Sequence, residues 1–562
     1  MSNKVRSIEI ENYKSIKKSG EIRIPGITLI LGPNGSGKTN ILESLLLLKQ
    51  TLENNQLNLK LNGNIVKTGE FRNIIFRQDL DKNLTYKFHF DNSLGDQDPD
   101  LICPVCGKEY TYEGYFTNHM GENHSQFWDK STKSERKLFS DHYSSAPSIE
   151  LSYSFDRQSK SSVLKSIRLH NPEPVDGLHI SELEVVNTAK RMEIRATSIK
   201  GQKIIDIGSS NEEANEMFDQ NPNYLTGSIG RLLHTKVPGR SSVGERRFIP
   251  RVKNVESNST FAQIDEKLQS KNLPIDSIEK VDYEDRYEVR EGLLTGLIAR
   301  LMNISFAAGQ YINHTQSFLS EISHVGPLRS SPRRIYYGAG GSPGLQPEND
   351  NQVERQIFSS EQSQNRSLIE TTNRWLAETG FDCQLSVTEV GVGDLYQLEV
   401  IQSGLSVNLA DAGFGLSQTL PIIIECINMR IEDESSTDGA YLRRFSKRQS
   451  QTPLGLIEQP EIHLNPRIEA SLGDFFIDVM KSDPKLMIET HSEHLLNRIQ
   501  RRIADGTIEN ENNVVIYFIS KEEDSSHIRE IEISSKGVFS DWPEGFFQDD
   551  FDDAMETLKE SL

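Results

Sequence analysis

Cysteine is scarce in this chain, and long apolar runs are absent from it. Only four of the 562 residues are cysteine, which argues against a scaffold held together by disulfide bonds. No uninterrupted apolar run reaches the ~18 residues that a membrane-spanning helix requires. Met1–Ser7 is polar, and no apolar signal segment follows it. These absences together predict a soluble cytoplasmic protein.

Positive charge is also in deficit. The chain has 62 Lys and Arg residues against 82 Asp and Glu residues, so its formal net charge is −20. Because like charges repel, this balance argues against a protein that coats nucleic acid or an anionic membrane over its whole surface. It leaves room for a local basic groove. Hydrophobic residues make up 35% of the chain, which at this length is enough to bury a sizeable core with polar insertions.

A glycine-rich motif stands near the start of the chain. Gly32–Thr39 fits the P-loop pattern G-x-x-x-x-G-K-[ST] in full. It lies between a predicted strand at Ile27–Leu31 and a predicted helix at Leu42–Leu48, which is the context that the motif requires. Backbone N–H groups would hold the phosphates, with Lys38 at the β- and γ-phosphates and Thr39 on Mg²⁺. The candidate nucleotide-binding residues of this motif and of the position after it are Asn34, Gly35, Ser36, Gly37, Lys38, Thr39 and Asn40.

Three later segments hold candidates for the rest of an ATPase site. The apolar run Leu454–Ile457 ends in Glu458, which we expect to hold Mg²⁺ through water. Asp411–Gln418 is a Gly/Ser-rich loop that opens an apolar helix, and such a helix N-terminus favours phosphate; a plain helix cap is the alternative. A strand beginning at Leu486 leads to His491. We interpret His491 as a switch histidine near the γ-phosphate, although a lone histidine is more often structural.

In this order the motifs resemble the ABC-type ATPases of the SMC, RecF and OLD group. The segments that carry the resemblance are Ile8–Leu48, Gly413–Gln418, Ile457–Pro466 and Glu489–His494. The match is closest to single-chain prokaryotic ATPases commonly called AAA family, which carry motifs similar to His324–Arg329 and Asp541–Phe547. The resemblance covers roughly residues 1–90 and 320–550. Its motifs are specific for the ATPase class and not for a biological role.

The resemblance implies a particular mode of assembly. Two heads would dimerise around two ATP molecules, each buried between the P-loop of one subunit and the Asp411–Gln418 loop of the other. Gly415 and Ser417 would then contact the γ-phosphate across the interface, and Gln418 belongs to the same nucleotide-binding set. Hydrolysis would release the dimer.

The second half of the site departs from the ABC pattern. Such ATPases usually carry Asp-Glu after the apolar strand, with the Glu as general base, but here the pair is Glu458-Gln459. The Gln459 carboxamide can orient a water but cannot accept its proton. Glu461 could substitute if the loop turns back. We therefore expect ATP binding with slow or partner-dependent hydrolysis, and the candidate catalytic residues are Glu458, Gln459, Glu461 and His491.

The ATPases of anti-phage defence modules are the most similar members of the group, for example the Septu ATPase that pairs with an HNH nuclease. This resemblance implies a switch that acts on DNA or RNA together with a separate nuclease or toxin effector. Only 71 residues follow His491, too few for the Toprim nuclease that OLD proteins often carry. Two alternatives remain open: a DNA-repair ATPase with steady DNA-stimulated turnover, and an ATP-bound scaffold that silences a toxic partner without hydrolysis.

A cysteine and histidine cluster predicts a structural zinc site. The sequence C-x2-C-x12-H-x4-H fits Cys₂His₂ spacing and leaves no open position on the metal. Its predicted zinc ligands are Cys103, Cys106, His119 and His124. Between the first and last ligands there is one basic residue, Lys108, against three glutamates, which opposes phosphate contact. Protein contact or stapling of an insertion is favoured over duplex reading, and stacking on a single-stranded base stays open.

The predicted fold class is α/β: an ABC-type P-loop ATPase head in two lobes, with a short helical subdomain and an inserted Cys₂His₂ zinc finger. Arg329, in the His324–Arg329 motif, is the basic residue that we place near the nucleotide or the lobe interface. The predicted segments are lobe I (1–94), the zinc-finger insertion (95–145), a β-rich continuation of lobe I (146–254), the helical subdomain (255–325), a linker (326–379), lobe II (380–540) and a tail (541–562).

Overall fold

The structure is a computed structural model. It describes residues 4–53, 58–91, 147–170, 180–187, 191–198, 203–210, 311–329, 331–337, 367–391, 395–434, 452–508, 513–540 and 542–543. The predicted zinc ligands Cys103, Cys106, His119 and His124 lie outside these residues, as does the whole insertion predicted at 95–145. The zinc finger therefore stays a prediction, and so do the domain boundaries.

The described residues form strands and helices that we number along the chain. The strands are β1 (Val5–Tyr13), β2 (Ile16–Lys18), β3 (Ile22–Arg23), β4 (Ile27–Leu31), β5 (Leu84–Phe90), β6 (Ser148–Asp156), β7 (Ser161–His170), β8 (Ile180–Asn187), β9 (Arg191–Ser198), β10 (Lys203–Ser210), β11 (Ile322–Val325), β12 (Tyr336–Tyr337), β13 (Gln384–Glu389), β14 (Leu395–Gln402), β15 (Leu405–Asn408), β16 (Leu454–Glu458), β17 (Lys485–Glu489), β18 (Val514–Glu522) and β19 (Ser525–Ile531). The helices are α1 (Lys38–Glu53), α2 (Phe71–Ile74), α3 (Ser367–Glu378), α4 (Phe414–Glu434), α5 (Pro466–Met480) and α6 (Glu493–Ala504). Residues 311–320 are also helical. Within the described part of the chain, no helix is both long and apolar enough to cross a membrane.

The chain divides into two compact units. Unit 1 comprises Met1–Glu21, Ser44–Ser320 and Arg448–Gln451, and unit 2 comprises Ile22–Glu43, Glu321–Lys447 and Thr452–Leu562. The P-loop and the three later motifs of the sequence all fall in unit 2. The candidate site therefore lies within unit 2.

Unit 1 contains an antiparallel sheet with the strand order β10-β9-β8-β7-β6-β5-β1-β2. In β1 the side chains of Ile8 and Ile10 are buried, whereas Glu9 between them is half-buried. This alternation is typical of a strand with one buried face. Aromatic side chains pack against the sheet, since the ring of Phe90 meets that of Tyr311 edge-on with 5.1 Å between centroids.

Unit 2 is built on a six-stranded sheet with the order β11-β16-β17-β4-β18-β19. The first five strands run parallel, and β19 pairs antiparallel with β18. Every residue of β4 and of β16 is buried, as is typical of strands in a parallel sheet. The carboxyl ends of these strands meet at one edge, which is where open α/β sheets bind ligands.

Four helices share a hydrophobic core with this sheet. Residues of α3, α4, α5 and α6 belong to one buried cluster with β4, β16 and β17. Within it, Trp375 meets Phe475 edge-on with 4.7 Å between ring centroids. The cluster also contains Cys383 and Cys426, and both thiols are buried, as is common for free cysteines.

The glycine-rich segment Asp411–Gln418 is more helical than the sequence predicts. A loop was expected through Gln418, but α4 begins at Phe414, so Gly415, Ser417 and Gln418 lie in its first turns. The first four N–H groups of a helix have no partner within the helix, so they are satisfied by other groups. The Ser417 hydroxyl is satisfied inside the helix, because it donates to the carbonyl oxygen of Phe414 at 2.8 Å. The predicted loop therefore ends at Gly413.

Candidate nucleotide-binding site

The P-loop joins β4 to α1 in unit 2. Gly32, Gly35 and Gly37 have φ angles of 143°, 75° and 104°, values that favour glycine. A Cβ on Gly32 would stand 2.2 Å from the carbonyl oxygen of Ile519, so this glycine is also required for space. The motif thus has the backbone that a phosphate-binding loop needs, with Asn34 and Gly35 exposed at its tip.

Lys38 is buried inside this loop. Its Nζ atom donates to the carbonyl oxygens of Gly32 and Pro33, both at 2.9 Å. Burial lowers the pKa of the ammonium group, although the nearby carboxylates of Glu489 and Glu461 act against that shift. A cation in this position is suited to receive phosphate oxygens.

Thr39 is hydrogen-bonded to a carboxylate at the end of β17. Its Oγ1 atom lies 2.9 Å from Oε2 and 3.1 Å from Oε1 of Glu489. Glu489 is only 2% exposed, and burial raises the pKa of its carboxyl to about 6 in spite of the hydrogen bond from Thr39. The carboxylate of Glu458 also raises this pKa. The two acids therefore lie close together.

Glu458 ends β16 and is bound to a histidine. β16 and β17 pair in parallel, and their register places Glu458 opposite Glu489. Oε1 of Glu458 lies 2.7 Å from Nε2 of His324, which comes from β11. The carboxylate that meets the Thr39 hydroxyl is thus Glu489, whereas Glu458, the acid that the sequence predicts for Mg²⁺, meets His324.

Gln459 has a backbone conformation that is rare for a residue with a side chain. Its φ is 44°, in the left-handed region. Its N–H donates to the carbonyl oxygen of Glu489 at 2.7 Å. Arg329 also holds this segment in place. Its Nη2 atom donates to the carbonyl oxygens of Glu458 at 2.8 Å and of Gln459 at 3.3 Å. These bonds over-determine a strained backbone, as is common at functional sites.

Glu461 turns back toward the segment after β17. Its Oε2 atom accepts from the Thr490 hydroxyl at 2.8 Å, and its Oε1 atom accepts from the His491 backbone N–H at 2.7 Å. Burial raises the pKa of this carboxyl, against the lowering effect of those bonds. Glu461 therefore connects the loop after β16 to the switch segment, and both of its oxygens are occupied in doing so.

His491 presents a ring nitrogen that no described residue contacts through a hydrogen bond. Its Nε2 atom is buried without a hydrogen bond among the described residues, and the same holds for Oγ of Ser36 in the P-loop. Burial and the charge of Lys38 lower the pKa of the imidazole, so the neutral ring is favoured at pH 7. Buried polar groups left unpaired are uncommon, and these two fit an anionic ligand at the P-loop.

The donors present also fit Mg²⁺ that shares its ligands with a nucleotide. Thr39 supplies a hydroxyl, and Glu458 and Glu489 supply carboxylates. Mg²⁺ typically takes one or two protein carboxylates together with substrate phosphates and waters. No group of three or more His, Cys, Asp or Glu side chains in the described ranges is arranged to hold a metal without such help.

The start of α4 contacts the β16 side of the site. The side-chain N–H of Gln418 donates to the carbonyl oxygen of Arg329 at 3.5 Å. A Cβ on Gly415 would stand 2.9 Å from the carbonyl oxygen of His463, so the helix approaches the loop after β16 closely. Ser417 is only 6% exposed. Gln418 is thereby linked to Gln459 through Arg329.

Sequence reasoning missed three residues of this site. Glu489 and Thr490 stand beside the predicted switch histidine, and His324 opens the motif that contains Arg329. An acid at the end of an apolar strand was the signal for Glu458, and Glu489 carries the same signal. The structure brings Lys38, Thr39, Glu458, Gln459, Glu461 and His491 to one edge of the sheet.

Solved structures similar to the chain include SMC head domains. One is the Smc head domain from Pyrococcus furiosus, with an extended coiled coil and bound to the C-terminal domain of ScpA; it is 10% identical over 99% of each chain, with a TM-score of 0.31. Another is the SMC head domain from Thermotoga maritima, which is 10% identical over 94% of this chain and 100% of that chain, with a TM-score of 0.31.

Family models match nearly the whole sequence. No curated protein sequence matches the chain. A family described as "Protein of unknown function (DUF3696)" matches residues 510–558. The family described as "AAA ATPase domain" matches residues 4–496. Since that match spans most of the 562 residues, the chain belongs to the AAA ATPase domain family.

Proposed function

We propose that the chain binds ATP with Mg²⁺ at the carboxyl edge of the unit 2 sheet and hydrolyses it slowly. The observation that carries the proposal is the convergence of P-loop residues and two strand-end carboxylates on that edge. Lys38 is held within a glycine loop, and Thr39 contacts Glu489. The unpartnered groups of Ser36 and His491 supply further polar contacts for a phosphate.

Each residue has a definite task in this proposal. Lys38 and the P-loop N–H groups bind the phosphates. The Thr39 hydroxyl and the carboxylates of Glu458 and Glu489 hold the metal, which neutralises charge on the phosphate oxygens when it is bound. His491 keeps a neutral imidazole beside the phosphate-binding loop, where it can donate or accept a hydrogen bond.

Slow hydrolysis follows from the groups available to activate water. The Gln459 carboxamide has no oxygen basic enough to accept a proton at neutral pH. Glu461 is an acid, but its two oxygens accept from Thr490 and His491. Each oxygen keeps a second lone pair, but these bonds hold the carboxylate against the switch segment, so a change in that segment would have to turn it toward the attacking water. Turnover is therefore conditional.

We further propose that two copies dimerise around ATP, with Gly415, Ser417 and Gln418 reaching the nucleotide of the partner. The resemblance to ABC-type heads supports this arrangement. The Phe414 side chain is 52% exposed at the start of α4, which leaves an apolar group available to a second copy. The Ser417 hydroxyl would have to exchange its bond to Phe414 for one to phosphate.

The wider role in this proposal rests on the same resemblance. The chain would act as a switch on nucleic acid together with a separate nuclease or toxin effector, in anti-phage defence. A structural Zn²⁺ at Cys103, Cys106, His119 and His124 belongs to the proposal. Expression with the flanking genes intact, followed by co-purification and mass spectrometry, tests the effector: recovery of a nuclease-like companion is the expected result, and recovery of the chain alone contradicts it.

Nucleotide binding tests the central claim. We expect Lys38→Ala to weaken binding of a fluorescent ATP analogue at least tenfold, because the buried ammonium group is removed from the phosphates. The matched control is Lys521→Ala, since Lys521 is an exposed lysine of β18 in the same unit. Failure of the wild-type chain to bind the analogue, or equal binding by both variants, would contradict the proposed site.

A further inference from the structure

Arg329 is a buried cation whose hydrogen bonds are only partly made. Its Nη2 atom donates to the carbonyl oxygens of Glu458 and Gln459. Its Nε and Nη1 atoms are also buried, and neither has a hydrogen-bond partner among the residues that the structure describes. Leaving buried N–H groups of a charged side chain unpaired is unfavourable, so this arrangement indicates an acceptor that arrives from outside the chain.

The two neighbouring carboxylates are engaged elsewhere. Oε1 of Glu458 faces His324 at 2.7 Å, and both oxygens of Glu461 accept from the segment after β17. Burial lowers the pKa of Arg329 to about 10, although both carboxylates act to raise it. The guanidinium therefore stays charged at neutral pH. A charged guanidinium with free N–H groups is suited to bind a carboxylate or a phosphate.

Arg329 and Lys38 belong to the same group of charges. The carboxylate of Glu461 acts on the pKa of each of them. Arg329 follows β11 and Lys38 follows β4, and both strands end at the same edge of the parallel sheet. An anion held by Lys38 would therefore approach a second cation on the β16 side of the site.

We infer that the free N–H groups of Arg329 bind the terminal phosphate of the nucleotide, so that Arg329 distinguishes a nucleoside triphosphate from a diphosphate. The inference rests on the proposed function and deepens it. Nucleic-acid phosphate could supply similar oxygens. Arg329, however, follows a strand of the same parallel sheet whose β4 leads into the P-loop, so the fold itself brings nucleotide phosphates to this edge.

The backbone contacts of Arg329 give this binding a consequence. One end of the residue fixes the strained Glu458–Gln459 peptide segment, and its own carbonyl oxygen accepts from Gln418 of α4. When phosphate binds the Nε and Nη1 groups of Arg329, it would therefore influence the position of the Glu458–Gln459 segment and that of Gln418. Arg329 is therefore a positioning residue for Gln459 as well as a phosphate-binding one.

Equilibrium binding of two nucleotides to the full chain tests the inference. The probes are AMP-PNP, a non-hydrolysable triphosphate, and ADP, each with Mg²⁺, measured by calorimetry. We expect Arg329→Gln to weaken AMP-PNP binding at least tenfold and ADP binding by no more than about twofold. Arg329→Lys keeps the charge but loses the guanidinium geometry, and we expect an intermediate loss for AMP-PNP.

The matched control is Arg501→Gln. Arg501 is an exposed arginine of α6 in the same unit, and its loss should leave both affinities unchanged. If Arg329→Gln does not fold, as judged by its thermal transition, Arg329→Lys is used instead. The quantity compared is again the loss of AMP-PNP affinity relative to the loss of ADP affinity. Equal losses for the two nucleotides, no loss, or a loss confined to binding of a DNA oligonucleotide would overturn the inference alone. Failure of the wild-type chain to bind either nucleotide would overturn the proposed function and the inference with it.

Discussion

The resemblance to ABC-type ATPases implies that Gln459 takes the position of their water-activating glutamate. The carboxamide differs from a carboxylate by one group of similar size, and Gln459→Glu keeps the backbone bonds from Gln459 to Glu489 and Arg329. We expect Gln459→Glu to raise the rate of phosphate release at least tenfold, because general bases typically contribute about 10²–10⁴ in rate. A steady-state phosphate assay with saturating Mg·ATP measures it.

Two further variants show whether a faster rate in Gln459→Glu comes from the added base or from a change in the strain of the loop. Gln459→Ala removes the carboxamide without adding a base, and we expect its rate to stay within about twofold of wild type. Glu461→Gln should lower the rate of Gln459→Glu little if Glu461 serves only to hold Thr490 and His491. A Gln459→Glu rate equal to wild type would show that Glu461 or another group already acts as base.

The buried carboxyl of Glu489 should make the nucleotide-free protein less stable as pH rises. Its pKa is raised by burial from 4.5 to about 6 in the folded state, so the folded state binds the proton more tightly than the unfolded state. The free energy of unfolding then falls as pH rises from about 4.5 to 6. Above pH 6 the charged form costs about 2 kcal/mol. Glu489→Gln, whose side-chain oxygen still accepts from Thr39, should remove that cost.

Urea unfolding of the nucleotide-free chain at pH 5 and pH 7.5 measures the effect. We expect Glu489→Gln to be more stable than wild type at pH 7.5 by about 1–2 kcal/mol, with a smaller difference at pH 5. Glu523→Gln changes an exposed glutamate of unit 2 and should change neither value. A destabilised Glu489→Gln at pH 7.5 would show that the charged carboxylate is needed by the fold.

At the scale of elements, the local patterns were sufficient for the strands that end at the site. The strand expected at Ile27–Leu31 has those bounds as β4, and the apolar run ending in Glu458 is β16. Both are short, mostly apolar and followed by turn-forming residues, so the sequence pattern indicates a buried strand in each case. The sequence predicts the start of α4 too late, because Gly413 just before the helix and Gly415 in its first turn resemble a loop.

Strand order is the part of the site that local patterns do not contain. β17 lies between β16 and β4, and its register sets Glu489 opposite Ile30 on one side and Glu458 on the other. The P-loop that follows β4 is thereby closer in the sheet to Glu489 than to Glu458. Both acids end apolar strands, so the sequence identifies them equally well, and only the order of strands decides which one meets Thr39.

At the scale of the whole molecule, the proposed dimer brings together two chains that each carry a net charge of −20. ATP adds further negative charge. Local cations, Mg²⁺ and apolar contacts must therefore offset the repulsion between the two chains at the interface. We expect Mg²⁺ and AMP-PNP together to convert the 63.6 kDa chain to a dimer in analytical ultracentrifugation. Raising ionic strength from about 0.05 to 0.15 M should strengthen the dimer, because salt screens the repulsion between like charges.

Phe414 allows the interface to be tested without touching the P-loop. Its exposed ring packs against His463 at 4.6 Å between centroids, at the start of the helix that carries Ser417. Phe414→Glu should still bind AMP-PNP but remain a monomer, since it places a further negative charge where two acidic chains meet. Val538→Glu adds the same charge at another exposed apolar residue, 63% exposed, and should dimerise like wild type. Dimers of equal strength in both variants would place the interface elsewhere, and a wild-type chain that stays monomeric with Mg²⁺ and AMP-PNP would refute ATP-driven dimerisation.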